Sequence, residues 1–82
     1  MERIFRNALK KQLKQRIKGE LSVHVVDDTL IVDIQAVGCY TWHYTINYLA
    51  EQISTGLSSR IVADFIVKQY KKYILSIHFY SK

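Results

Sequence analysis

Proline is absent from the 82-residue sequence, and glycine and cysteine are scarce, at three and one. With Cys39 alone there is no second thiol to form an intramolecular disulfide, which suits a reducing compartment, and the protein is expected to act in the cytoplasm. Gly19, Gly38 and Gly56 stand far apart and form no Pro/Gly-rich linker or glycine-rich phosphate loop. Neither a G-x-S-x-G elbow nor an H-E-x-x-H helix occurs. No apolar run approaches the roughly 20 residues of a membrane-spanning helix, so no membrane partner is expected. Acidic residues are also few: seven Asp and Glu face twelve Lys and Arg, leaving a net charge of +5.

What remains is ordinary globular sequence, 49% hydrophobic and 23% charged. Its length suits one domain, residues 1–82, with a single modest core and no deep cleft between domains. The N-terminal stretch spreads charge through its apolar residues and has no continuous apolar core of the signal-peptide kind, so it is expected to belong to the mature fold.

The organising element is Ser58 to Ile77. Val62, Phe65, Ile66, Tyr70, Tyr73, Ile74 and Ile77 recur at spacings of three and four, the pattern of an amphipathic helix. Arg60, Asp64, Lys68, Lys71 and Lys72 fall on its solvated back. Beyond Ile74 the alternation of Leu75, Ile77 and Phe79 fits a strand as well as a helix, and the helix is extended to about Ile77 because no breaker intervenes.

Upstream, Ile4, Phe5, Ala8, Leu9, Leu13 and Ile17 predict a first helix from Glu2 to Lys18, stopped by Gly19. Two β-branched runs, Leu21 to Val26 and Leu30 to Ala36, flank Asp27-Asp28-Thr29 and predict a hairpin. Alternation places Leu21, Val23, Val25, Leu30, Val32 and Ile34 on one face and Ser22, His24, Asp33 and Gln35 on the other. After a turn at Val37-Gly38-Cys39, Tyr40, Trp42, Tyr44 and Ile46 alternate with Thr41, His43 and Thr45 as a third strand, the competing reading being a helix from Trp42. Asn47 then caps a short helix in which Tyr48, Leu49 and Ile53 share a face, and Thr55-Gly56 ends it; Ser58 or Ser59 caps the long helix. The expected fold is α+β, in the order α-β-β-β-α-α: a three-stranded antiparallel sheet with helices packed on one face.

Few residues invite catalysis. Cys39 and His43 are four apart and His24 could approach them, yet one thiol and three scattered histidines, His24, His43 and His78, lack the paired spacing of a metal site. Asp27 and Asp28 read as a turn, Asp33 as an open-face residue, and Glu51 and Asp64 as helix surface, without the close pairing that tunes a carboxylate for acid–base work. No catalytic residue, cofactor or metal is expected. Tyr40, Trp42, Tyr44 and Tyr48 could stack nucleobases, but the first three share the inward parity of Ile46 and read as core.

The strongest functional signal is charge placement. Seven of the twelve basic residues lie between Arg3 and Lys18, with Glu2 the only acid before Glu20. Arg3, Arg6, Lys10, Lys14 and Lys18, with Lys11 beside them, would line the far side of the first helix, while Arg16 falls towards the apolar side. Such a face can track phosphates without choosing sequence, or can merely solubilise a small basic protein. A secondary basic surface is expected at Arg60, Lys68, Lys71 and Lys72. The element order invites comparison with double-stranded-RNA-binding domains, but the segment from Asn47 to Ile53 lacks the basic residues that comparison needs. Gly56-Leu57-Ser58 with Val62 and Phe65 resembles the turn and second helix of a helix-turn-helix, with only Arg60 on the recognition surface.

The run T-W-H-Y-T-I-N from Thr41, with Ile53, Gly56, Ser58, Val62, Ile66, the Y-K-K-Y-I from Tyr70 and the D-D-T-L-I-V from Asp27, resembles small uncharacterised phage and prophage proteins of Gram-positive bacteria. The resemblance implies a small regulator or anti-defence protein acting by binding in the host cytoplasm. One class of anti-CRISPR proteins shares the element order, although those are acidic nucleic-acid mimics and this chain is basic. The expected function is therefore a non-enzymatic binding protein whose basic first helix engages a nucleic-acid backbone. The alternatives are an inhibitor or adaptor that binds an acidic host protein or ribonucleoprotein, and a homodimer.

Overall fold

The computed structural model describes residues 1–35 and 41–80, with side chains to residue 76. Its elements are α1 (Glu2–Arg16), β1 (Leu21–Val26), β2 (Thr29–Gln35), β3 (Thr41–Ile46), α2 (Leu49–Ser54) and α3 (Ser59–Tyr80). The strands form an antiparallel sheet in the order β1-β2-β3, so the α-β-β-β-α-α order is the one observed. The expected turn at Val37, Gly38 and Cys39, the inward Tyr40, and the side chains of Ile77 and His78 lie outside the described residues.

Alternation along the strands decides the layering. Val23, Leu30, Val32, Ile34 and Ile46 point to one face and are buried there beneath Phe5, Leu9 and Leu13 of α1 and Val62, Ala63, Ile66 and Val67 of α3. The other face carries His24, Thr41, His43 and Thr45 in the exposed state, with Asp33 half-buried and bonded to His43 Nδ1. Across the helical face, aromatic packing ties β3 to α3. The Trp42 and Tyr44 rings stack with centroids 5.9 Å apart, Tyr70 meets Trp42 edge-on at 6.1 Å, and Phe65 tilts against Tyr44 at 5.5 Å. Trp42 and Tyr44 are therefore core-facing, as their parity predicts.

Several boundaries differ from expectation, each for a physical reason. The first helix stops at Arg16, two residues early, because Ile17 turns extended (φ −121°, ψ 126°) and drops its side chain into the core while its N–H still bonds Leu13 O at 2.8 Å. Lys18 is thus beyond the helix, and Gly19, at φ +122°, redirects the chain into β1. Ile4, counted among the apolar positions, is 73% exposed because α1 meets the sheet along Phe5, Leu9 and Leu13 only. The hairpin turn is Asp27-Asp28 alone, both at positive φ as tight hairpin turns require, and Thr29 already pairs with Val26.

The start of α2 is also built differently. Tyr48, not Asn47, is the N-cap; it is left-handed (φ 55°) and largely exposed rather than part of the apolar face. The capping bonds come from the distant hairpin turn: Asp28 O accepts from Leu49 N and Asp28 Oδ1 from Ala50 N, both at 2.9 Å. At the other end Leu57 N reaches Gln52 O at 2.9 Å and Gly56 N reaches Ile53 O at 3.1 Å, a Schellman closure that needs the positive φ of Gly56 (+108°). Ser58 caps α3, its Oγ accepting from Arg60 N, while Ser59 Oγ accepts from Gln12 Nε2 of α1. Residues 74 to 80 are helical, which resolves the ambiguous tail, and α3 runs to Tyr80.

Candidate polyanion-binding surface

Helical spacing sets the charge pattern of α1. Leu9 and Leu13 lie one turn apart on the buried side, so Arg3, Lys11 and Lys14 are turned outwards and are exposed. Arg6 and Lys10 occupy the flank above β1 and are half-buried; Arg6 Nη2 donates to Asn7 Oδ1 at 3.1 Å, and Arg6 and Arg3 border a shallow recess with Glu2 and Val25. Lys18 is exposed in the link between α1 and β1. Five of the six predicted cations therefore share one helix of about 22 Å, at axial steps of roughly 5–6 Å between turns, and the sixth follows its end.

Arg16 is different. It lies on the α3 side of α1 and makes an ion pair with Asp64, which removes one cation and one acid from the solvent-facing balance. Among the described residues none of Arg3, Arg6, Lys10, Lys11, Lys14 and Lys18 makes an ion pair.

The packing of the helices fixes where the second basic cluster lies. Gln12 bonds Ser59 and Arg16 bonds Asp64, so residue numbers rise together and α1 and α3 run side by side in parallel. Lys68, Lys71 and Lys72 then lie about 6–12 Å farther along α3 than Asp64, past the end of α1. All three are exposed. Arg6 and Lys10 lie on the β1 flank, whereas Lys68 and Lys72 share the outward stripe of α3 with Ile61 and Phe65 on the β3 side, so the two clusters stand on different flanks of a molecule measuring 44 × 21 × 17 Å. Arg60 is exposed in the first turn of α3, upstream of these lysines. The relative placement of the two clusters is not visible from periodicity, which assigns residues to faces of their own helix and says nothing of helix direction.

The exposed apolar side chains form a further feature. Tyr48, Ile61 and Phe65 are 70%, 64% and 45% exposed. With Tyr44, Thr45 and Leu57 they line a groove of about 470 Å³ beside β3. Phe65 was expected in the core; instead Ala63 and Val67 take the buried positions and Phe65 stands at the rim.

Burial raises the phenol pKa of Tyr44 above its ordinary 10.0; that of Tyr70 is raised first by burial and second by the neighbouring Tyr73. Both rings are therefore neutral packing groups at neutral pH. Among the described residues no three His, Cys, Asp or Glu side chains group as a metal site, and no helix is long and apolar enough to cross a membrane. No protein-family model, curated protein or solved structure matches the chain.

Proposed function

We propose that the protein is a non-enzymatic binding protein that holds a nucleic-acid backbone along the basic side of α1. The observation that carries this reading is the run of cations on α1, Arg3, Arg6, Lys10, Lys11 and Lys14, with Lys18 behind them, none of which makes an ion pair among the described residues. Cations spaced at one helical turn meet phosphates without reading base edges, so the binding is weakly selective for sequence and strongly dependent on salt. In the phage setting that the sequence resemblance implies, such a protein would act on host or phage nucleic acid in the host cytoplasm.

Titration of fluorescently labelled single- and double-stranded DNA and RNA tests the reading. The charge-reversed variant Lys10→Glu/Lys14→Glu alters exposed or half-buried side chains and should keep its far-UV circular dichroism while losing most of its affinity. Unchanged affinity in that variant would refute the assignment of α1.

A further inference from the structure

We infer that the free edge of β3, together with the groove beside it, binds an extended peptide segment of a protein partner by strand addition. Apolar side chains of that segment enter the groove, and its carboxylates meet Lys68 and Lys72.

Among the described residues the sheet order leaves β3 with a neighbour on one side only. Among the described residues no backbone group of Thr41–Ile46 hydrogen-bonds outside its ladder with β2. Folded proteins ordinarily guard such an edge with Lys, Pro, a bulge or a covering element. Here no Lys, Arg, Asp, Glu or Pro occurs between Asp33 and Glu51. The opposite edge is treated differently, since Glu2, Arg3 and Arg6 of α1 overhang Val25 of β1.

The groove lies where an added strand would place its side chains. Tyr44 faces the helices and Thr45 the opposite side of the sheet, yet both line it, so it opens across the strand edge. Ile61 and Phe65 of α3 line its other wall, and Lys68 and Lys72 continue their outward stripe beyond the groove at i+7 and i+11. Because Phe65 packs on Tyr44 and Tyr70 on Trp42, α3 runs antiparallel to β3. The stripe is thus apolar beside the Tyr44 end of the strand and basic towards Thr41. This sequence of chemistry selects a strand that carries apolar residues at alternate positions and acidic residues at one end.

The same charges disfavour a second copy as the occupant. Two β3 edges paired about a two-fold axis would set Lys68 and Lys72 of each copy beside the uncharged β3 of the other, with no acid there to meet them. An acidic strand from another protein neutralises them instead.

The test is selection of linear peptides of about ten residues, enough to span β3, from a random display library against the immobilised full chain. The expected ligands are poor in proline, alternate apolar residues and contain Asp or Glu. Synthetic copies should slow amide hydrogen exchange at Trp42–Ile46. Ile61→Asp and the pair Lys68→Glu/Lys72→Glu, all at exposed positions, should each weaken them about tenfold or more, and Lys-for-Glu peptides should rescue the latter variant.

Failure to enrich any peptide sensitive to Ile61→Asp overturns the inference, as does binding that leaves β3 exchange unchanged. A concentration-dependent dimer abolished by Ile61→Asp assigns the edge to a second copy and equally overturns it. Loss of nucleic-acid affinity in Ile61→Asp would place the groove within the polyanion surface and remove the peptide site. Retained nucleic-acid affinity with lost peptide affinity separates the two surfaces, so either can fail without the other.

Discussion

Arg16 of α1 and Asp64 of α3 form an ion pair across the seam between two parallel helices, 48 residues apart in the chain. The pair ties the two helices together and engages Asp64, the one acid of α3.

Both partners are substantially exposed, at 42% and 58%, so the pair contributes little to stability, under about 1 kcal/mol. Asp64→Asn should therefore lower the melting temperature only slightly. It should at the same time strengthen nucleic-acid binding, because Arg16 is released to solvent. Paired thermal melts and titrations check both halves of this expectation.

Asp28 links the hairpin to α2 through its backbone oxygen and its carboxylate while sitting at φ 61°. Asp28→Ala loses the side-chain cap and strains the turn, at a cost of about 1–2 kcal/mol. Asp28→Asn keeps an acceptor and tolerates the left-handed conformation, and should remain close to the parent in urea denaturation.

Leu9 and Ile4 occur in the same periodic pattern, yet Leu9 is fully buried and Ile4 is 73% exposed. Leu9→Ala should cost about 2–5 kcal/mol, a large part of the stability of a domain this small. Ile4→Ala should change it by no more than about 0.5 kcal/mol. Denaturant midpoints of the two variants make the comparison directly.

Those two residues also illustrate what periodicity conveys and what it omits. Period-two alternation in β1, β2 and β3 identified the buried face, because a strand in an antiparallel sheet has only two faces and one of them is wet. A helix has no such binary choice, and its core stripe depends on where its neighbours sit. Ile4 and Phe65 consequently read as core from spacing but lie at the rim, whereas Ala63 and Val67 fill the tight line against the sheet. The capping of α2 was hidden for a related reason: Asn47 is the locally favoured cap, but Asp28, brought close by the hairpin, supplies the bonds. The cations of α1 were legible because each is defined by its own helix. The placement of Lys68, Lys71 and Lys72 relative to them depends on how α3 packs, which no local pattern records.

Alkaline titration gives an independent check on the aromatic packing. Burial raises the phenol pKa values of Tyr44 and, with a smaller contribution from Tyr73, of Tyr70. Above the ordinary pKa of 10.0 the unfolded chain has released protons that the folded chain still holds, so the stabilisation is complete below that pH and falls as the pH climbs through the raised values. Tyr44→Phe should flatten this decline, as read by denaturant unfolding at successive pH values.

The central claim is that the α1 cations contact phosphates, and the salt dependence of affinity tests it most directly. Each contact contributes roughly −0.9 to the slope of log K against log salt on duplex DNA, so four to five contacts give about −3.6 to −4.5 and a loss of two to three orders of magnitude between about 50 and 200 mM salt. Lys10→Glu/Lys14→Glu should reduce the slope by about 2. A steep slope that flattens in the variant is the predicted result. A shallow slope, or a steep one that the variant leaves unchanged, would contradict the claim.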